Sequence, residues 1–440
     1  LGLGAAGWLL AQLPSRDLIL GFGALFLIII GYTLLVPALV VLLTRLLLPA
    51  CRALFGVIGG LAVRGIDRGL SRSGLAVAAL SVAVAATVGM GVLVTSFRAN
   101  VADWLGQTLQ GDLYISAPHS VSSRADGLLD PEVRQRLQGL PGIAELSTGR
   151  RLEVETERGP VALLAIGMAS RSPRGFSLVG EPPPDLWDGF AAGELLLISE
   201  PYAYHQGLKP GDPLEVYSAE GPRRFRVGAV FRDFGSDRGL LVMAGDVFAR
   251  YWRDPGISAI GLFLEPGADL NQVQARVRAA LAGLPQSPRV RSNREIRAHS
   301  LEIFDRTFTV TRVLRLLAVL VAFVGIFSAL MAMLLEQGRE RAILRATGVT
   351  PGQLLGLVGL QTGLMGLMAG LLALPLGLVM GRVLIQVINL RSFGWSLQPL
   401  TPPGVFADAL LLALAAALLA GLLPAWRSMR IEPAAALREE

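Results

Sequence analysis

Apolar residues crowd the two ends of this chain and thin out through its middle. Residues 1–13 are apolar but fall short of the roughly 20 needed to cross a bilayer, and read as the tail of a truncated membrane helix. A polar turn follows at Pro14, Ser15, Arg16 and Asp17, and residues 18–43 then make a full apolar span. Further spans are predicted at 74–96, 312–335, 353–381 and 404–424. The segment 74–96 is rich in Gly and Ala, which suits close helix packing in lipid. No span carries a charge near its middle. Arg312, Arg315, Arg382 and Asp408 fall near span ends, within reach of the interface. A proton- or ion-coupled transporter ordinarily needs a charge at mid-membrane, so that class is disfavoured.

The middle, residues 97–311, has an ordinary globular pattern and predicts an inserted α+β domain. Short, partly alternating strands bounded by Gly, Pro and Asp are expected at 112–116, 161–166, 195–199, 213–218, 224–231, 240–243 and 258–264. Helices are expected at 131–139, 270–283 and 294–311, the first capped by Asp130 with Pro131 and Glu132 in its first turn. The stretches 97–110 and 294–311 flank the domain and lead into spans 74–96 and 312–335. They read as outward continuations of those helices, a stalk between membrane and domain.

The connectors between spans carry the charge. Arg45, Arg52, Arg64, Arg68 and Arg72 lie in 44–73. Arg64, Arg68 and Arg72 recur every four residues, which places them on one helical face opposite Leu61, Ile66 and Leu70. That predicts an amphipathic segment on the membrane surface, its arginines toward lipid headgroups or a partner. Residues 336–352 predict a short charged helix between two spans. Glu336, Arg339, Glu340, Arg341 and Arg345 surround Ala342, Ile343, Leu344 and Ala346; Gly348 can end the helix and Pro351 forbids its continuation. Such a helix suits docking to a cytoplasmic partner, and equally an ordinary solvated connector.

Charge then orients the chain. The segments 44–73, 336–352 and 425–440 hold 11 arginines, whereas 14–17 and 391–403 hold only Arg16 and Arg391. Positive residues stay inside, so the first set is cytoplasmic and 97–311 lies outside the membrane. The net charge of +6 does not belong to the soluble part, where 24 basic side chains meet 26 acidic ones. Nucleic-acid binding would need the reverse distribution. Mean hydropathy is +0.54, far above that of soluble domains.

Candidate chemistry is sparse. Lys209 is the single lysine and sits before Pro210 and Gly211, so no P-loop with its phosphate-binding lysine exists in this chain. His119, His205 and His299 are widely separated, Cys51 stands alone, and neither a metal set nor a hydrolase elbow emerges. Asp233, Phe234 and Gly235 begin a polar turn between two expected strands.

The charged connectors carry a resemblance. Arg339-Glu340-Arg341-Ala342-Ile343-Leu344-Arg345-Ala346-Thr347-Gly348 is similar to a cytoplasmic element of the FtsX-like, MacB-type permeases of ABC transporters, departing at Arg341 and Thr347, where apolar residues are usual. Pro424, Ala425, Arg427, Arg430, Pro433, Ala436, Leu437 and Arg438 match the family's ending at the same spacing. The basic stretch 64–73 resembles its amphipathic lead-in helix. The architecture matches over about residues 60–440: one span, a large outside domain, three spans.

The resemblance implies a polytopic α-helical membrane protein with an inserted extracytoplasmic α+β domain of the MacB-like periplasmic core type, in a bacterial plasma membrane with its C-terminus cytoplasmic. It implies a non-catalytic permease subunit that moves with a separate ABC ATPase dimer, which would hold the ATP and Mg; this chain itself would hold no cofactor. The ATPase would couple through 336–347 and the tail, by mechanotransmission. The expected cargo is lipid, lipoprotein or another hydrophobic substrate. The alternatives are a signalling scaffold that activates an extracytoplasmic enzyme such as a cell-wall hydrolase, and an antimicrobial-peptide sensing or resistance module. Residues 1–43 look like the linker helices of longer members, so the chain resembles the C-terminal module of a two-module permease, with membrane lipids and a second permease module as its other partners.

Overall fold

The computed structural model describes residues 2–118, 127–309 and 347–429, and within 310–346 residues 313, 316–317, 320–321, 323–325, 327–328, 331 and 343. The chain divides into two compact units. One comprises Leu1–Ser96, Phe308–Arg391 and Gln398–Glu440; the other comprises Phe97–Thr307 with Ser392–Leu397.

The first unit is helical. Among the described residues four helices are long and apolar enough to cross a membrane: Leu18–Arg68, Ser73–Thr108, Pro351–Phe393 and Gly404–Leu422. Most of the expected span 312–335 lies outside the described residues. Asp17 caps the first long helix, its Oδ1 accepting from the Ile19 N–H at 2.8 Å. Thr350 and Gln353 form a reciprocal capping box at the start of Pro351–Val383, with Pro351 in the first turn where its missing N–H costs nothing. That helix continues through a π-helical turn, Leu384–Asn389, into Leu390–Phe393, so it is longer than the span read from hydropathy.

Small residues set the helix packing, as lipid favours. Gly366, Gly370, Gly377 and Gly381 mark one face of Pro351–Val383. A Cβ added at Gly366 would lie 2.6 Å from the Ala417 Cβ, and one at Gly377 would lie 2.6 Å from the Val88 Cβ. The short helix Gly2–Gln12 packs on Leu18–Arg68 through Gly7 and Gly31. Arg391 gathers the end of this helix and the turn after it, donating to Ala11 O (3.3 Å), Leu13 O (3.0 Å) and Asp17 O (2.9 Å). The stretches that hold Arg16 and Arg391 therefore meet.

The segment 44–73 is helical and broken at Gly56 and at Gly69. The long helix Leu18–Arg68 is really two, meeting at a kink at Gly56, whose backbone is non-helical and whose φ of +59° favours glycine. The helix ends at Gly69 and the next begins at Leu70. Arg64 and Arg68 are exposed before this break, and Arg72 falls within the helix that begins at Leu70. The Ser73 hydroxyl donates to Ile66 O and Gly69 O across this break, which fixes the turn.

The second unit is α+β. Its strands are β1 (Leu113–Ser116), β2 (Ile143–Thr156), β3 (Gly159–Gly167), β4 (Leu195–Ser199), β5 (Pro213–Ser218), β6 (Gly221–Phe231), β7 (Leu240–Ala244), β8 (Ala259–Leu264) and β9 (Arg289–Ser292). The sheet order is β3-β7-β4-β6-β5-β2-β8-β1-β9, with β2 also pairing β3. Strand β2 is shared between two lobes. Its first half pairs β8, and its second half pairs β3 and, at Thr156, β5. In one lobe Leu113, Ile115, Ile260 and Leu262 pack under helices Pro131–Leu137 and Leu270–Leu281. In the other, Leu163, Leu196, Ile198, Leu214, Val216 and Leu241 fill the interior.

Candidate functional site

Two features of the second unit stand out. The first is an aromatic cluster. Phe97, at the start of this unit's portion of helix Leu70–Thr108, sits 5.2 Å from Phe304, 5.5 Å from Trp395 and 6.3 Å from Phe234, centroid to centroid. Phe304 lies on helix Asn293–Thr307. Phe234 lies in the turn after β6, and Trp395 lies in 392–397, where it also stacks on Phe393 at 4.8 Å. Trp104 meets Phe234 edge-on at 5.9 Å and donates its indole N–H to Arg232 O at 3.1 Å. Beside the rings, Arg98 pairs with Asp305 through Nε–Oδ1 at 2.9 Å and Nη2–Oδ2 at 3.3 Å. Both partners are about half exposed, so the pair orients the helices more than it stabilises them.

The segment 392–397 is held by more than rings. The Ser396 N–H donates to Glu200 Oε2 at 3.2 Å, and Gly394, at φ +72°, passes too close to Pro201 for any side chain. Burial pushes the Glu200 carboxyl up, against the Ser396 hydrogen bonds and the charge of Arg232.

The second feature is a cavity of about 350 Å³ in the same unit. Its floor follows from strand register. Tyr114 of β1 faces Gly261 of β8, which faces Ser147 of β2. One step along, Ser116 faces Ala259, which faces Gly149. Directly opposed residues in antiparallel strands share a face, so Gly261 lies under the Tyr114 ring while the small Ser116, Ser147, Gly149 and Ala259 leave a hollow beside it. Trp104, Leu105 and Thr108 cover it from the helix, with Gly175 and Phe176 alongside. Leu164, Ile166, Phe231, Leu240, Val242 and Phe263 make the rest of its wall largely apolar. Into this wall are set three arginines, Arg151, Arg232 and Arg291, and one acid, Asp233. Burial pushes the Tyr114 phenol up to about 12, so it stays neutral; its oxygen accepts from the Gly111 N–H at 2.9 Å.

The residues singled out in the sequence are spread differently. Of the element 336–348, only Ile343, Thr347 and Gly348 are described; Glu336, Arg339, Glu340, Arg341, Ala342, Leu344 and Arg345 lie outside the described residues. Gly348 has φ +101° in a turn whose Thr347 N–H donates to Ile343 O. Arg427 falls within the helix Gly404–Met429, while Arg430, Pro433, Leu437 and Arg438 lie outside the described residues. Among the described residues no group of three or more His, Cys, Asp or Glu side chains gathers as a metal site. The turn Asp233-Phe234-Gly235, read from sequence as a plain connector, supplies both an aromatic to the cluster and an acid to the cavity.

Residues 73–280 match the model of the MacB-like periplasmic core domain, and residues 312–433 match that of the FtsX-like permease C-terminal region. Over its whole length the chain is 39% identical to an uncharacterized ABC transporter permease protein of Mycobacterium tuberculosis, and it spans 52% of that relative. The periplasmic region of MacB from Actinobacillus actinomycetemcomitans matches 44% of this chain and 94% of its own, at 12% identity and a TM-score of 0.34. The extracellular domain of the noncanonic ABC-type transporter YknZ from Gram-positive bacteria matches 42% of this chain and all of its own, at 12% identity and a TM-score of 0.31. The chain is multi-pass with an extracytoplasmic domain, and it belongs to the FtsX-like permeases of ABC transporters that carry a MacB-like periplasmic core domain.

Proposed function

We propose that this chain is the permease module of an ATP-driven complex that works by mechanotransmission in a bacterial plasma membrane. A separate ABC ATPase dimer supplies the ATP and Mg, docks on the cytoplasmic element 336–348 and the tail that includes Arg427 and Arg430, and drives the outer domain through the membrane helices. A second permease module completes the assembly. The cargo is a lipid, lipoprotein or other hydrophobic molecule.

The observation that supports this reading best is the helix Leu70–Thr108 together with its aromatic lock. It has 39 residues, about 58 Å at 1.5 Å per residue, whereas a bilayer core takes about 20 residues. Such a helix need not end at the membrane surface. Phe97 and Arg98 tie it to helix Asn293–Thr307, and Phe97 ties it to 392–397. A displacement of one of these elements would be felt by the other two. The largely apolar cavity favours hydrophobic cargo over activation of an outside enzyme, which would call for an exposed docking face.

Deleting residues 339–347 tests the coupling. Stimulation of the partner ATPase should be lost while the outer domain keeps its thermal transition. Unchanged stimulation would refute the docking assignment.

A further inference from the structure

We propose that the cavity between β1, β2, β8 and residues 104–111 is a binding site for a single-chain amphiphile with an anionic head, a carboxylate or a phosphate. This rests on the reading of the outer domain as a handler of hydrophobic cargo only for its biological role.

The argument begins with packing. Protein interiors leave few voids larger than a water molecule, because an empty lining forfeits its dispersion contacts. Here a hollow of about 350 Å³ is lined at the sheet by four small residues at neighbouring positions, Ser116, Ser147, Gly149 and Ala259. A larger side chain at any one of several positions would fill it. Ala259, for instance, sits in the middle of the row Ser116–Ala259–Gly149. The volume falls at the small end of the roughly 300–1,000 Å³ range of ligand pockets, which is room for one alkyl chain rather than two.

Charge then names the head. Three guanidinium-bearing residues and one carboxylate line the cavity, a formal excess of two positive charges in a largely apolar wall. Among the described residues, neither Arg232 nor Arg291 makes an ion pair within 4 Å, and the buried Arg232 Nε–H has no hydrogen-bond acceptor. A buried donor left without an acceptor is costly, and a planar guanidinium is matched by carboxylate or phosphate oxygens. Arg291 lies directly across from Tyr114 in the β1–β9 pair, Arg151 lies across from Leu164 in the β2–β3 pair, and Arg232 follows Phe231 at the end of β6, so guanidinium groups are spaced around a largely apolar wall. An apolar wall with guanidinium groups set into it suits an alkyl chain that carries an anionic head.

The test uses the full chain in nanodiscs of neutral lipid and diazirine-bearing probes of one chain length: dodecanoate, dodecyl phosphate and dodecanol. Cross-linked peptides are mapped by mass spectrometry. The expected result is labelling of 104–116, 147–151 and 258–263 by one or both anionic probes and about tenfold less by the alcohol. The ratio between the two anions decides the head group. Arg232→Gln with Arg291→Gln should remove that preference, and Ala259→Leu should block all three probes. Far-ultraviolet circular dichroism and the thermal transition show that each variant is folded. Labelling confined to membrane helices, or equal labelling by alcohol and anions, would overturn the site. ATPase stimulation is read on the same preparation, so lost labelling with intact stimulation refutes the site alone, and the converse refutes the coupling alone.

Discussion

Removing the ring of Phe97 should release the segment 392–397 before it disturbs anything else. The ring meets three others, Phe304, Trp395 and Phe234, at 5.2–6.3 Å between centroids. Each aromatic pair contributes about 0.5–1.5 kcal/mol beyond simple burial. Phe97 is only half-buried, so the lower part of the summed range applies, about 2 kcal/mol. That stabilisation falls mostly on the elements bound through the cluster, because the sheet cores lie elsewhere. Amide hydrogen exchange reads such local opening directly. Phe97→Ala should speed exchange in 392–397 by roughly 30-fold, since about 1.4 kcal/mol is a factor of ten. Exchange in β4 and β7, deep in the core, should stay within about twofold. Phe97→Leu should fall between, as it keeps apolar bulk and loses the ring geometry. Equal acceleration everywhere would mean the cluster is part of global stability rather than a local lock. No acceleration would mean that Glu200 and Pro201 hold the segment without it.

Three further outcomes follow from particular residues. Ser199 is fully buried and its hydroxyl accepts from the Leu240 N–H at 2.8 Å, so Ser199→Ala should cost about 2 kcal/mol and lower the melting temperature of the outer domain by about 4–8 °C; an unchanged melting temperature would show that the amide finds another acceptor. Gly377→Leu would drive a side chain into Val88 and should loosen the helix pair, seen as faster protease cleavage in detergent, while Gly377→Ala should show a smaller effect. The Ser292 N–H, with help from the Ser292 hydroxyl, Gln274 and Arg278, holds the Glu295 carboxyl below its usual range. A depressed folded-state value adds stability above the unfolded value, near 4.3, and loses it as pH falls through the folded one. The melting-temperature gap between the native chain and Glu295→Gln should be full at pH 7 and shrink below about pH 4; a gap that widens in acid would refute the assignment.

Much of the architecture was legible because its signals are long. Four apolar helices and the strands β1, β3 to β8 stand out by hydropathy, alternation and Gly or Pro boundaries. Strand β2 was hidden because its sequence, Ile143 to Thr156, is dense in Glu, Arg, Ser and Thr, and much of it is only half-buried. Strand β9 was hidden by two arginines in four residues. Both line or flank the cavity, so the cavity was hidden with them. Its small residues read as unremarkable one at a time, and only pairing register sets Gly149, Ala259 and Ser116 in a row. The break at Gly69 was not legible from the arginine spacing at 64, 68 and 72, because periodicity alone assumes one continuous helix. The aromatic lock needs Phe97, Phe234, Phe304 and Trp395 from four distant stretches, which no local pattern links.

The claim at the centre is that nucleotide moves the outer domain. Cys51 is the single cysteine, so a Cys51→Ser background allows selective labelling. Ala219 is exposed in the turn between β5 and β6 of the second unit, and Asp408 is exposed on helix Gly404–Met429 of the first, so labels there report on different units and leave the cluster alone. Pulsed electron spin resonance on Ala219→Cys with Asp408→Cys, in the permease purified with its bound ATPase, reads distances between labels. The account predicts a distribution that shifts between the nucleotide-free and ATP-trapped states and stops shifting when 339–347 is deleted. An identical distribution with and without nucleotide would contradict it.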